Sequence, residues 1–187
     1  MKIGALEAGG TKMVCAVFDE NAGLIKENSF PTLTPDETLP VLIDFYKNES
    51  IDELGIGCFG PIDLDKDSDT YGYITSTPKT AWRNCNIVGA FKDALGVPIG
   101  FDTDVNGSAL GEYTFGIGRG VDDLVYITIG TGIGIGVITD GKLLHGGMHP
   151  EGGHIMLTKH SKDTFDCICP YHKSCFEGLA SGPAIEK

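Results

Sequence analysis

Apolar positions near the start of the chain fall in short runs. Residues 2–8 (KIGALEA), 12–19 (KMVCAVFD) and 24–30 (LIKENSF) read as strands, with turns at Gly9-Gly10-Thr11 and Asn21-Ala22-Gly23 between them. Short Gly-bearing connections join antiparallel neighbours, so the opening predicts a β-meander. From Pro35 the period changes. Leu39, Leu42, Ile43 and Tyr46 recur at three- and four-residue spacing, which predicts a helix from Pro35 to Lys47. Residues 52–59 form a buried-type strand ending at Gly60-Pro61. A helix over 86–95 follows, with Asn86 as its N-cap and Gly96 closing it. A strand at 97–101 and a helix at 104–113 complete the first section, with Gly116 and Gly118 marking the exit.

A second section opens near Val121. It has a strand at 124–129, the segment GTGIGIG, a continuing strand at 137–139 and an Asp140-Gly141 hairpin into 142–144. The order is an α/β pattern that begins to repeat, with a division expected between 1–118 and 119–187. The second section reaches Lys187 without a helix–strand–helix set of its own, so the chain is expected to be part of a longer protein.

Composition narrows the classes. Of 187 residues 41% are hydrophobic, enough for a core, and the formal net charge is −12. That charge argues against nucleic-acid binding, which needs a basic surface. The acidic run at 63–69 (DLDKDSD) lacks the glycine and distal Glu of a calcium loop and reads as a solvated turn. No run approaches the ~18 apolar residues of a membrane helix. The first residues lack the apolar core of a secretory signal, so a cytoplasmic location is expected. Cys15 and Cys58 lie in apolar runs and read as buried thiols. Cys167, Cys169 and Cys175 cluster, and in a cytosolic chain clustering points to metal rather than disulfide.

The glycines carry the first chemical signal. Glu7-Ala8-Gly9-Gly10-Thr11-Lys12 sits between two strands, where glycine permits a tight turn whose amides face a polyphosphate. Thr11 and Lys12 offer further contacts, and Glu7 is a candidate to hold magnesium through its water shell. An ordinary hairpin explains one Gly-Gly pair equally well. The second segment, with Gly130, Thr131, Gly132, Gly134 and Gly136, shifts the balance, because alternate glycines cost a strand up to ~1 kcal/mol each. It is neither a Walker A loop nor a Rossmann fingerprint. Two such loops point to a nucleotide phosphate held between two lobes.

EAGGTK at 7–12, FDTDVNGSALGE at 101–112, IGTGIGIG at 129–136, EGGH at 151–154 and the Cys/His cluster before Glu177 occur in the order seen in ROK sugar kinases, which the chain resembles over essentially its whole length. The resemblance implies an actin/hexokinase-like, ribonuclease H-like α/β fold in two lobes. It implies ATP with Mg2+ and a hexose as ligands, and dimers are common in the family. Glu7 in place of Asp, the GPID and TPK…W segments (Gly60 to Asp63, Thr77 to Trp82) and Thr103 resemble the fructokinase branch. ROK regulators carry an N-terminal winged helix-turn-helix, whereas this chain opens on the first phosphate strand.

Sugar phosphorylation needs a carboxylate to take the hydroxyl proton. Asp104 follows a strand and opens a helix; from spacing alone it is equally a base or the N-cap. The resemblance implies the base, with Thr103 beside it in the sugar site and Glu151, His154 and Glu177 on sugar hydroxyls. Cys169-x2-His172-x2-Cys175, with His154 upstream, suits a closed tetrahedral zinc site of structural type. Cys167 is the alternative ligand, and His149 and His160 rank as surface residues.

Overall fold

The computed structural model describes residues 1–146 and 150–187. The chain opens with β1 (Lys2–Ala8), β2 (Lys12–Asp19) and β3 (Leu24–Pro31), the expected meander. Next come α1 (Pro35–Glu49), β4 (Glu53–Cys58), two short strands β5 (Tyr73–Ile74) and β6 (Cys85–Asn86), α2 (Ile87–Leu95), β7 (Ile99–Thr103) and α3 (Asp104–Thr114). After α3 stand β8 (Leu124–Ile129), β9 (Ile133–Thr139), β10 (Lys142–Leu143), α4 (Phe176–Ala180) and α5 (Gly182–Ile185). The backbone divides into two units, Met1–Gly107 and Ser108–Lys187, so the boundary falls inside α3.

The first unit holds a five-stranded sheet in the order β3-β2-β1-β4-β7. β1, β2 and β3 are antiparallel neighbours, while β4 and β7 run parallel to β1. Parallel neighbours need long crossovers, and α1 and α2 supply them. Their apolar stripes close the core: Leu42, Tyr46 and Phe91 are fully buried with Leu6, Met13, Val17 and Leu54 of the strands. The Tyr46 hydroxyl donates to the Ala5 carbonyl at 2.6 Å, which satisfies the one polar atom of a buried ring. β3 is exposed almost throughout, carries Lys26 and Glu27 and ends at Pro31.

Helix ends follow the chain's capping residues. Asn86 caps α2 by accepting from the Gly89 amide at 2.7 Å, and Gly96 ends it at φ 67°. α1 runs two residues beyond the expected Lys47, to Glu49, and closes at Ser50 in a left-handed conformation. β7 reaches Thr103 rather than stopping at Phe101. The β5–β6 pair was not expected from the sequence; it pins the long segment after β4, where the buried Trp82 indole donates to the Leu33 carbonyl at 2.7 Å.

Register sets where chemistry is possible. Ala8 pairs with Cys58, and Cys58 pairs with Thr103. The parallel strands β1, β4 and β7 therefore end level. Gly9-Gly10, Phe59-Gly60 and Asp104 leave the sheet at one carboxyl edge, where open parallel sheets bind ligands.

The second unit has a three-stranded antiparallel sheet, β10-β9-β8. GTGIGIG divides in two. Gly130–Gly132 is the turn, closed by the Gly130 amide donating to the Gly132 carbonyl at 2.9 Å. Gly134 and Gly136 lie within β9, opposite Thr128 and Tyr126. A 3-10 turn, Gly152–His154, presses on this strand. A Cβ on Gly153 would stand 1.9 Å from the Ile133 carbonyl oxygen, so no other residue fits. Among the described residues no helix is long and apolar enough to cross a membrane.

Candidate functional site

In the first unit the carboxyl edge gathers a glycine turn, a cation and a carboxylate. A Cβ on Gly9 would lie 2.5 Å from the Lys12 carbonyl oxygen, so the tightness of the turn demands glycine there. Glu7, Thr11 and Lys12 are exposed around it. Gly10 is covered by a residue that sequence reasoning did not single out as functional: a Cβ on Gly10 would stand 3.0 Å from Cε of the half-buried Lys79.

Asp104 is not the N-cap of α3. Thr103 takes that place: it is 3% exposed, and its hydroxyl oxygen accepts from the Asn106 amide at 3.1 Å. Asp104 occupies the first helical position, half-buried, with its carboxylate accepting from the Val105 amide at 2.9 Å. Asn106, itself buried, donates to the Asp102 carboxylate at 2.8 Å and stiffens the same turn. Burial, then the Asp104 charge, push the Cys58 thiol well above its ordinary range, so it stays neutral beneath this edge.

In the second unit, residues 155–175 fold back as a flap. The Phe176 amide donates to the Ile155 carbonyl at 2.9 Å and the Leu157 amide to the Ser174 carbonyl at 2.7 Å. This brings His154, Cys169, His172 and Cys175 together, with ligand atoms all within 4.8 Å of one another. A tetrahedral zinc with bonds of about 2.0–2.3 Å separates its ligands by roughly 3.3–3.8 Å. Cys169 Sγ already lies 3.5 Å from His172 Nδ1 and 3.9 Å from His154 Nδ1, so the set fits such an ion with a small contraction. Burial pushes the Cys175 thiol up; the Gly178 amide, donating to its sulfur at 3.4 Å, opposes this. Cys167 stands outside the four, its thiol donating to the His172 carbonyl at 3.2 Å. His160 is exposed, and His149 lies outside the described residues.

His154 links this cluster to the glycine turn. Its Nδ1 faces the sulfur, while Nε2 stands 3.9 Å from Glu177 Oε1. Glu177 Oε2 accepts from the Ile133 amide at 2.9 Å, directly after Gly130–Gly132, and a Cβ on Gly132 would meet that oxygen at 2.6 Å. The Gly182 amide holds the Gly130 carbonyl at 2.8 Å from the other side. Thr131 is exposed at the tip. Glu151 is exposed and sits at φ 47°, a left-handed conformation of the kind that gathers at functional sites.

Comparison with known proteins agrees with this architecture. The chain is 50% identical over 184 residues to the fructokinase of Lactococcus lactis, covering 98% of this chain and 62% of that protein. It is 50% identical over 189 residues to the fructokinase of Streptococcus mutans, covering 98% and 64%. The chain thus spans under two thirds of the length of these relatives. Among solved structures, a ROK glucokinase from Streptomyces griseus in complex with glucose and AMPPNP superposes with a TM-score of 0.77 at 29% identity, covering 99% of this chain and 59% of that one. The ROK hexokinase of Thermus thermophilus gives 0.79 at 28%, covering 100% and 62%. The fold is therefore the hexokinase-like α/β fold expected, and the family model named ROK matches residues 3–187: this chain belongs to the ROK family.

Proposed function

We propose that the protein is an ATP-dependent fructokinase, converting D-fructose and ATP to D-fructose 6-phosphate and ADP. The observation that carries the reading is the shared register of Ala8, Cys58 and Thr103, which brings the Gly9-Gly10 turn and Asp104 to one sheet edge. The names of the relatives at about half identity favour fructose.

In this reading Gly9, Gly10, Thr11 and Lys12 of the first unit are phosphate-binding residues, and so are Gly130, Thr131 and Gly132 of the second. Gly134, inside β9, contributes through the strand that carries the turn. Asp104 accepts the proton of the attacking hydroxyl, and Thr103 acts by fixing the start of α3 and so the aim of that carboxylate. Glu151, His154 and Glu177 pair with sugar hydroxyls. The 3.9 Å gap between His154 Nε2 and Glu177 Oε1 admits one hydroxyl oxygen at hydrogen-bond distance from both. Magnesium accompanies ATP, and exposed Glu7 is the carboxylate proposed for its water shell. Zinc held by His154, Cys169, His172 and Cys175 has no open position for substrate and serves to fix His154. A homodimer is the proposed assembly.

The test is ADP release with Mg-ATP across a panel of hexoses, on the protein and its Asp104→Asn variant. Fructose-dependent release is expected, with kcat lowered about 10²–10⁴-fold in the variant. Release with a different sugar would keep the mechanism and replace the substrate. No sugar-dependent release from folded, zinc-loaded protein would sink the kinase reading.

A further inference from the structure

We propose that Lys79 is a phosphate-binding residue whose ammonium meets the terminal phosphate of the nucleotide above the Gly9-Gly10 turn; this rests on the kinase reading above. The methylene stem of Lys79 lies on Gly10, where a Cβ would be 3.0 Å from Cε. The ammonium is one bond further on, at the same carboxyl edge from which Asp104 projects.

The backbone beneath Lys79 is held firmly. Its amide donates to the hydroxyl of buried Thr77 at 3.3 Å, and its carbonyl accepts from the amide of buried Trp82 at 2.8 Å. Arg83 Nε ties the Thr77 carbonyl at 2.8 Å. A fixed backbone reduces the entropy lost when a long cationic side chain engages a ligand. The Lys79 ammonium forms no ion pair among the described residues, although the chain has 26 acidic residues against 14 basic ones. A half-buried cation without an ion pair among the described residues, over a turn of backbone amides, offers an anion both charge and N–H donors. The base at the same edge must reach the hydroxyl that attacks the last phosphate. The phosphate under Lys79 is therefore the terminal one, and the lysine supplies charge where charge develops.

Calorimetric titration of Mg-AMPPNP and Mg-ADP into the protein, Lys79→Met and Lys79→Arg tests this without turnover. Methionine keeps the stem that packs on Gly10 and removes the charge. Triphosphate affinity in Lys79→Met is expected to fall about 10–100-fold, the range for a lost charge-assisted hydrogen bond. ADP affinity is expected to stay within about twofold, and Lys79→Arg to regain part of the loss. Triphosphate affinity unchanged in Lys79→Met, or both nucleotides weakened alike, overturns the assignment. Protein that binds neither nucleotide before mutation sinks the kinase reading, and this inference with it.

Discussion

Asp63 shows what one carboxylate does in the acidic run after β4. Its Oδ2 accepts from Thr70 Oγ1 at 2.6 Å and Ser68 Oγ at 2.7 Å, and its Oδ1 from the Asp65 amide at 3.0 Å. The run is a turn organised on Asp63, in line with the solvated loop its text implied. The Thr70 and Ser68 hydroxyls hold its carboxyl below the usual carboxylate range. A lowered folded pKa contributes stability above the unfolded value, near 4, that is lost as pH falls through the folded value. The urea midpoint of the protein is therefore expected to fall more steeply between about pH 5 and pH 3 than that of Asp63→Asn; parallel curves would show that the hydroxyl bonds carry no net stability. Residue-scale roles were only partly legible. Asp104 and Thr103 stand at a strand–helix junction, and a two-residue difference in where β7 ends decides which of them caps the helix. Lys79 was invisible as a partner of Gly10, because nothing local ties residues so far apart in sequence.

The elements divide by how local their causes are. β1, β2, β8 and α1 follow from periodicity and from glycine or capping residues at their ends, so the sequence displays them. β5, β6 and the 3-10 turn at Gly152–His154 depend on neighbours distant in the chain, and no periodicity announces them. The glycines of β9 weaken its strand signal, and only pairing with β8 completes it. The junction of α4 with the flap carries a sharper consequence. Glu177 accepts from the Ile133 amide through Oε2 and holds Oε1, with its charge, 3.9 Å from His154 Nε2. Gln keeps the shape and an oxygen for the Ile133 amide but removes the charge beside His154. Zinc affinity of Glu177→Gln, measured by competition with a chromogenic chelator, is expected to fall about 10–100-fold. An unchanged affinity would show that His154 needs no carboxylate behind it.

At the scale of the whole chain, the order β10-β9-β8 repeats β3-β2-β1, with a glycine turn at the same connection in each. The repeat was readable because two meanders share one pattern of runs and turns. The Cys/His cluster belongs to the second unit alone. Removing zinc with a strong chelator is expected to speed amide exchange through 150–185 and β9. The ladders of β1, β2 and β4 should keep their protection. Equal loss in both units would mean that the metal supports the entire chain rather than its own unit.

The exposed strand β3 also bears on behaviour in concentrated solution. An unpaired strand edge is a template for another chain, and sheets left open in this way invite fibre-like growth. Here the outermost strand places Lys26 and Glu27 along its length and stops at Pro31, which has no amide to donate. A second molecule adding to that edge would bury charge and meet a missing hydrogen bond. Both features weigh against edge-to-edge growth from this strand, although Leu24 and Ile25 are exposed on it.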